Sequence, residues 1–293
     1  MLSLTRDGAS QAAVGLPLGV ASGLRPLVDQ VGTAGLRRWL PTPLSSEEIY
    51  IHTENAALRP HGVPQTMADA HLTQAAAREA LRLALEQLRE RYGAEALPSA
   101  VDGLGCDLIA ARGGALTHAA HDGLAALALL DALQPVGLTR LTLDDASLWP
   151  QLGAVAQVAP LAASQVLERD GLHELGVVVA PADLSTPVEA TSDGRPALSL
   201  TILYEDGRVI EADVPFGDVQ RFPLAPYERA TLEVRPHRDL DIGLGRGGQG
   251  GSAQVRGGSL GIIVDTRGRP LRLPEEMEER LKKVTAWLAN LHL

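Results

Sequence analysis

Residues 107–145 read DLIAARGGALTHAAHDGLAALALLDALQPVGLTRLTLDD, and this stretch decides the fold class. A short apolar strand, Leu108 to Ala111, runs into the pair Gly113-Gly114. A long apolar helix, a Pro-Gly break and a second strand, Thr139 to Leu143, follow. Strand, helix and strand in succession make an α/β core. The glycine pair allows φ values and close approaches that a Cβ would forbid. It also delivers the chain to a helix N-terminus, where N–H groups and the dipole favour an anion or a polar ligand edge.

The sequence before this stretch is helical in character. Gly32 to Leu40 (GTAGLRRWL) predicts a helix ended by Pro41 and Pro43, because a proline biases its predecessor away from the helix. Ser45 to Glu48 reads as a helix cap with acids in the first turn. Thr66 to Tyr92 is the clearest helix, opened by a capping box of Thr66 and Asp69. Leu81, Leu85, Leu88 and Tyr92 form its apolar stripe, and Arg78, Arg82, Glu86, Arg89 and Glu90 its solvated face. Gly93 is placed to end it as a left-handed cap. Residues 1–35 give only a turn and a loose helix start.

The sequence after the central stretch changes character. Asp144 to Ser147 caps a short helix, Leu148 to Val158. Pro160 to Leu175 reads as another helix ended by Gly176, and Val177 to Val179 as a buried strand. LSLTILY and VIEADV flank an Asp-Gly turn and predict a β-hairpin. Ala230 to Arg235 and Gly258 to Asp265 are further strands, DTRGRP is a tight turn, and Pro274 to Leu293 is a terminal helix. Met277, Leu281, Val284, Leu288 and Leu291 line one side of that helix.

Composition excludes several classes. The chain carries 26 basic and 36 acidic residues, a formal charge of −10, which disfavours nucleic acid. One cysteine, Cys106, excludes an internal disulfide and, with no signal-peptide pattern, predicts a cytoplasmic location. No apolar run is long enough for a membrane span. Aromatics are 3%, so the core must be built from Leu, Val and Ala.

Three motifs invite chemistry. Gly243 to Gly248 matches G-x-G-x-x-G, but SAQV follows where a dinucleotide site needs a helix. The glycines read as a flexible or tightly turned loop between two strands or, since Arg246 and Arg256 flank bare N–H groups such as those of Gly245 and Gly247, as an anion-holding loop. Gly257 to Gly261 matches G-x-S-x-G around Ser259, but a strand follows where the elbow needs a helix. His118 and His121 stand three apart beside Asp122, which would place both imidazoles on one helix face, without a third ligand in the pattern. No metal site is predicted, and no P-loop is present.

The ordered segments RRWLPTPLSSEE, ALRPHGVPQT, AAAREALRLALE, DLIAARGGALTHA, LALLDALQPVGLTRLTLDDASLWPQLGAVA, GVVVAP and DLDIGLGRG carry a family resemblance. Over about Gly32 to Asp265 the chain resembles the C-terminal part of the GlmL family, also called MutL. These are the accessory proteins of glutamate (methylaspartate) mutase, unrelated to mismatch repair. The resemblance implies actin-like ATPase ancestry and a chaperone-like role for an adenosylcobalamin-dependent mutase, with the mutase subunits as partners. It implies that ATP or ADP would meet Leu108 to Leu116 on its adenosine side, with Arg112, Gly113, Gly114 and Thr117 in contact. Ala111-Arg112-Gly113-Gly114 stands where the family usually has Gly-Ser-Gly-Gly. The family's D-x-G-S-T phosphate loop and its second, Gly-Thr-rich phosphate loop have no counterpart here, Asp7 to Ser10 being a poor substitute.

The expected fold is therefore α/β: a truncated actin-like ATPase half with a helical insertion over residues 1–190, then a β-rich domain with a terminal helix over residues 191–293. The boundary is expected near Thr186 to Arg195. The expected function is that of a mutase accessory protein without competent ATP hydrolysis, a separate chain or domain supplying the missing half. The alternative is a non-catalytic binding module that uses the Gly/Arg-rich loop. An enzyme built on His118, His121 and Asp122 ranks last.

Overall fold

The computed structural model describes residues 2–6, 9–13, 18–92, 104–183, 195–237, 240–244 and 248–291. Gly93 and most of the expected boundary segment, residues 186–194, lie outside the described residues. The chain is a mixed α/β protein, and its contacts divide it into two compact units.

The first unit comprises Met1–Leu104, Leu127–Gln134 and Arg269–His292. It opens with β1 (Leu2–Arg6) and β2 (Ala9–Ala13), an antiparallel pair. This corrects the expectation of a loose helix start: two short runs flanking Asp-Gly are a hairpin signal that the Ala-rich composition hides. Helix α1 (Leu24–Arg37) begins well before Gly32, which sits inside it at φ 67° as a kink. Helix α2 (Ser46–Leu58) has a complete capping box. The Glu48 N–H donates to Ser45 Oγ at 3.1 Å, and the Ser45 N–H to Glu48 Oε2 at 2.8 Å. Helix α3 (Met67–Tyr92) is capped in the same way by Thr66 and Asp69, both bonds 3.1 Å long. Leu27, Leu36, Leu40, Ile49, Leu72 and Ala76 are among its core residues.

The charged face of α3 is not all solvated, as the sequence reading expects. Arg78 and Glu79 are buried. Arg78 Nε donates to Asp131 Oδ2 at 2.6 Å, and Glu79 accepts from Trp39 Nε1 at 2.6 Å, Arg38 Nε at 2.9 Å and Arg82 Nε at 3.0 Å. A 26-residue helix is long enough to be covered on more than its apolar stripe, and buried charges persist there only because each is paired.

The second unit comprises Gly105–Ala126, Pro135–Gly268 and Leu293. After β3 (Leu104–Gly105), strand β4 (Leu108–Ala111) appears where the sequence places it. The long helix does not follow directly. A short α4 (Gly114–Thr117) stops at His118, and α5 (Asp122–Leu133) starts after a bend, its last turns belonging to the first unit. Strand β5 (Pro135–Leu143) begins earlier than expected, with Gly137 at φ 82° inside it. Helices α6 (Trp149–Ala156) and α7 (Pro160–Asp170) follow. Helix α7 ends before Gly171, not at Gly176: His173 to Leu175 belong to β6 (His173–Ala180), whose pairing with β5 outweighs their local helical character.

The rest of the second unit is β-structure. It holds β7 (Ala182–Asp183), β8 (Pro196–Tyr204), β9 (Val209–Pro215), β10 (Val219–Phe222), β11 (Arg229–Pro236), β12 (Leu240–Asp241), β13 (Gly251–Arg256) and β14 (Gly261–Asp265). One sheet runs β10-β14-β6-β5 with β4 beside β5. Pairs β4–β5 and β6–β14 are parallel, while β5–β6 and β10–β14 are antiparallel. The second sheet, β13-β11-β8-β9, is antiparallel throughout and contains the predicted hairpin β8–β9. Val177, Val179, Ile262 and Val264 of the first sheet share a core with Leu198, Leu200, Ile202, Leu232 and Val234 of the second. The terminal helix α8 (Met277–Asn290) belongs to the first unit and buries Val284, Trp287 and Leu288, with Met277 exposed.

Candidate functional site

Sheet register collects the candidate residues at one end of the mixed sheet. Ala111 pairs with Leu143, and Leu143 with His173. The loops leaving β4 and β5 and the start of β6 therefore share one edge. This is the carboxyl end of the parallel β4–β5 pair, where open α/β sheets bind ligands.

The Gly113-Gly114 corner is exposed, with a strand leading into it. Gly113 has φ 125°, so its glycine is required by the backbone. Gly114 is different. Its φ is not positive, and a Cβ there would meet nothing nearer than His118 Nδ1 at 3.4 Å, an ordinary contact. The fold itself does not demand a glycine at 114, and the bare backbone there is exposed. Thr117 Oγ1 donates to the Gly113 carbonyl at 3.3 Å and holds the corner's shape. Arg112 is half exposed, its Nε 3.9 Å from Asp144 Oδ2, a loose tether. Asp144 is buried and committed, accepting from the N–H of Leu148 at 2.6 Å and of Trp149 at 3.2 Å. Arg112 can thus swing to a ligand without unsealing the fold.

Beside the corner stands a polar group that the sequence reading does not assemble. His173 Nε2 lies 2.8 Å from Asp122 Oδ2, across 51 positions of sequence. The imidazole, hydrogen-bonded to Asp122, holds that carboxyl below its usual range, and Ser259 and His121 act on it in the same direction. The bond to Asp122 in turn holds the His173 imidazolium above the ordinary histidine range. Ser259 Oγ is buried next to Asp122. In a nucleophilic triad the second nitrogen of the imidazole must take the serine proton, whereas here Ser259 acts on the Asp122 carboxylate and not on His173, and its oxygen is shut off from solvent. A strand, β14, follows Ser259, as the sequence reading expects of a failed elbow.

The other candidates separate. His118 and His121 do not share a helix face, because α4 ends at His118 and His121 lies in the bend before α5. Among the described residues no group of three or more His, Cys, Asp or Glu could hold a metal ion. Gly245, Arg246 and Gly247 lie outside the described residues, and the glycine run enters strand β13, not a helix. Burial pushes the Cys106 thiol up to about 11, so it is no reactive thiolate at neutral pH. Among the described residues no helix is long and apolar enough to cross a membrane.

No curated protein and no solved structure matches the chain. The family model described as MutL protein matches residues 1–171, which takes in the N-terminal hairpin, helices α1 to α7 and the Gly113-Gly114 corner. A match over more than half of the sequence settles membership: the chain belongs to the MutL family.

Proposed function

We infer that this chain is an accessory protein of an adenosylcobalamin-dependent carbon-skeleton mutase and that it holds a nucleotide, ATP or ADP, at the Gly113-Gly114 corner without turning it over. One observation carries the nucleotide: a glycine at 114 that the fold does not require, on an exposed corner at the carboxyl end of parallel strands. A residue that is bare where a side chain would fit leaves room for a ligand to approach the backbone. Gly113 and Gly114 would pack against the flat part of the nucleotide, Thr117 would keep the corner carbonyl in place, and Arg112 would reach the ligand from its loose tether. Nucleotide binding is proposed without turnover because the sequence lacks both phosphate-loop patterns. Phosphoryl transfer depends almost wholly on positioning the phosphates, the metal and the attacking water. Family membership and the resemblance support the mutase link.

The test is twofold. ADP binding, followed by calorimetry, is expected for the wild type and is lost in Gly114→Val. The tagged protein is expected to retain mutase subunits from its own cell extract. Nucleotide binding untouched by Gly114→Val sinks the corner, and failure to retain a purified mutase sinks the accessory role.

A further inference from the structure

We propose that the cleft between the end of α7 and the turn before β11 binds a small planar organic anion, its acid group facing Arg169 and Arg256 and its flat part against Tyr227. The cleft is a cavity of about 240 Å³ within the second unit. That is just below the range of about 300–1,000 Å³ typical of drug-sized pockets, so it suits a metabolite-sized ligand.

The first observation is a turn built against its own chemistry. The Glu228 N–H donates to the Ala225 carbonyl at 3.0 Å, closing a β-turn with Pro226 second and Tyr227 third. Tyr227 has φ 71°. A type II turn needs a positive φ at its third position and ordinarily takes Gly or Asn there. A tyrosine in this conformation is strained, and strain of this kind collects where a side chain must be presented. Packing does not explain it, because Tyr227 is 76% exposed. The turn is fixed from both sides: Glu228 Oε2 accepts from the Ala225 N–H at 2.7 Å, and the Gly257 N–H donates to the Glu228 carbonyl at 2.9 Å. A Cβ at Gly257 would lie 2.2 Å from the Ala225 carbonyl oxygen, so the exit of β13 must be bare for the turn to sit there.

The second observation is the charge around that ring. The Arg256 guanidinium stands over Tyr227, 5.2 Å from the ring centroid. Arg169 lines the same cleft, and its guanidinium has no hydrogen-bond or ion-pair partner among the described residues. Of the carboxylates at the cleft, Glu174 is already met by Arg140 Nη2 at 2.5 Å, which leaves Glu168. His173 forms another wall, its ring tied to Asp122. With Glu174 engaged by Arg140, two guanidiniums face one remaining carboxylate, and together with an aromatic face they suit a flat molecule bearing a carboxylate or phosphate.

The experiment uses the whole chain in a buffer of weakly binding anions at fixed ionic strength. Benzoate is titrated, with benzamide as the neutral arm and inorganic phosphate as the ringless arm. Benzoate is expected to saturate and to bind more tightly than either. Arg256→Gln and Arg169→Gln, both exposed positions, each weaken it by about tenfold or more. Arg235→Gln, at a different cavity, leaves it unchanged. Tyr227→Gly raises the melting temperature by relieving the turn yet brings benzoate down to the level of phosphate, a combination that unfolding cannot mimic. Benzoate that fails to saturate, binds no better than benzamide, or is indifferent to both arginine variants overturns the proposal. Gly114→Val is expected to leave benzoate binding intact, so this site and the nucleotide corner fail separately.

Discussion

At the residue scale the informative pair is Asp122 and His173. Their linkage fixes a pH dependence. His173 is held above its usual 6.5, so its stabilising bond is fully present below that value and is lost as pH rises through the raised value. Asp122 is held below its usual 3.8, so its share is present above that value and is lost as pH falls through the lowered one. His173→Gln should therefore lower stability in urea titrations by about 0.5–1 kcal/mol at pH 5–6, a modest figure because the pair is partly solvated. The gap should close once the pH has risen through the raised His173 value. A gap that persists above that value would locate the value of the contact in shape, not charge. Gly114 gives a second test. Replacing a helical glycine whose φ is ordinary should be neutral or stabilising by about 0.5–1 kcal/mol, read as the melting temperature of Gly114→Ala. A clear loss of stability would show that the corner is bare for internal reasons after all.

At the element scale, what was legible in the sequence follows the range of the interactions. The cap of α2 and α3, the strand β4 and the hairpin β8–β9 are written in residues a few positions apart, and they appear where the local pattern puts them. The errors fall where a distant partner decides. Residues 173–175 became strand because β5 pairs with them on one side and the N–H groups of Ser259 and Leu260, just before β14, donate to the Glu174 and Leu175 carbonyls on the other. Arg78 went inside because Asp131, 53 positions away, was there to meet it. The candidate site divides along the same line. Its glycine corner is a local motif and could be read, whereas the Asp122–His173 pair and the Tyr227 turn depend on register and on strain, which no spacing rule exposes. The long helix α3 offers the sharpest energetic test. Asp131→Ala leaves a buried guanidinium unmatched and should cost about 3–5 kcal/mol in chemical denaturation. The joint change Arg78→Met with Asp131→Leu should recover most of that loss, because both charges then go together. Thr66→Ala, which removes only a cap, should cost about 1 kcal/mol.

At the scale of the whole molecule, nucleotide and mutase must be thermodynamically linked if the chain is an accessory protein that uses its corner. If bound ADP or ATP changes the affinity for mutase, bound mutase must change the affinity for that nucleotide by the same factor, typically about 5–150-fold. The expected result is a matched pair of shifts, measured by titrating nucleotide into the free chain and into its complex, and mutase into the chain with and without nucleotide. Over the same titrations, hydrolysis with Mg²⁺ present should stay below about 10⁻³ s⁻¹, near the intrinsic rate of a phosphate-clasping protein that lacks its catalytic arginine. Unequal shifts would mean that the two ligands do not act on one equilibrium. Brisk turnover would mean that a phosphate-positioning element exists in a form that neither known loop pattern describes, and residues 7–8, between the two strands of the N-terminal hairpin, would then be the first place to substitute.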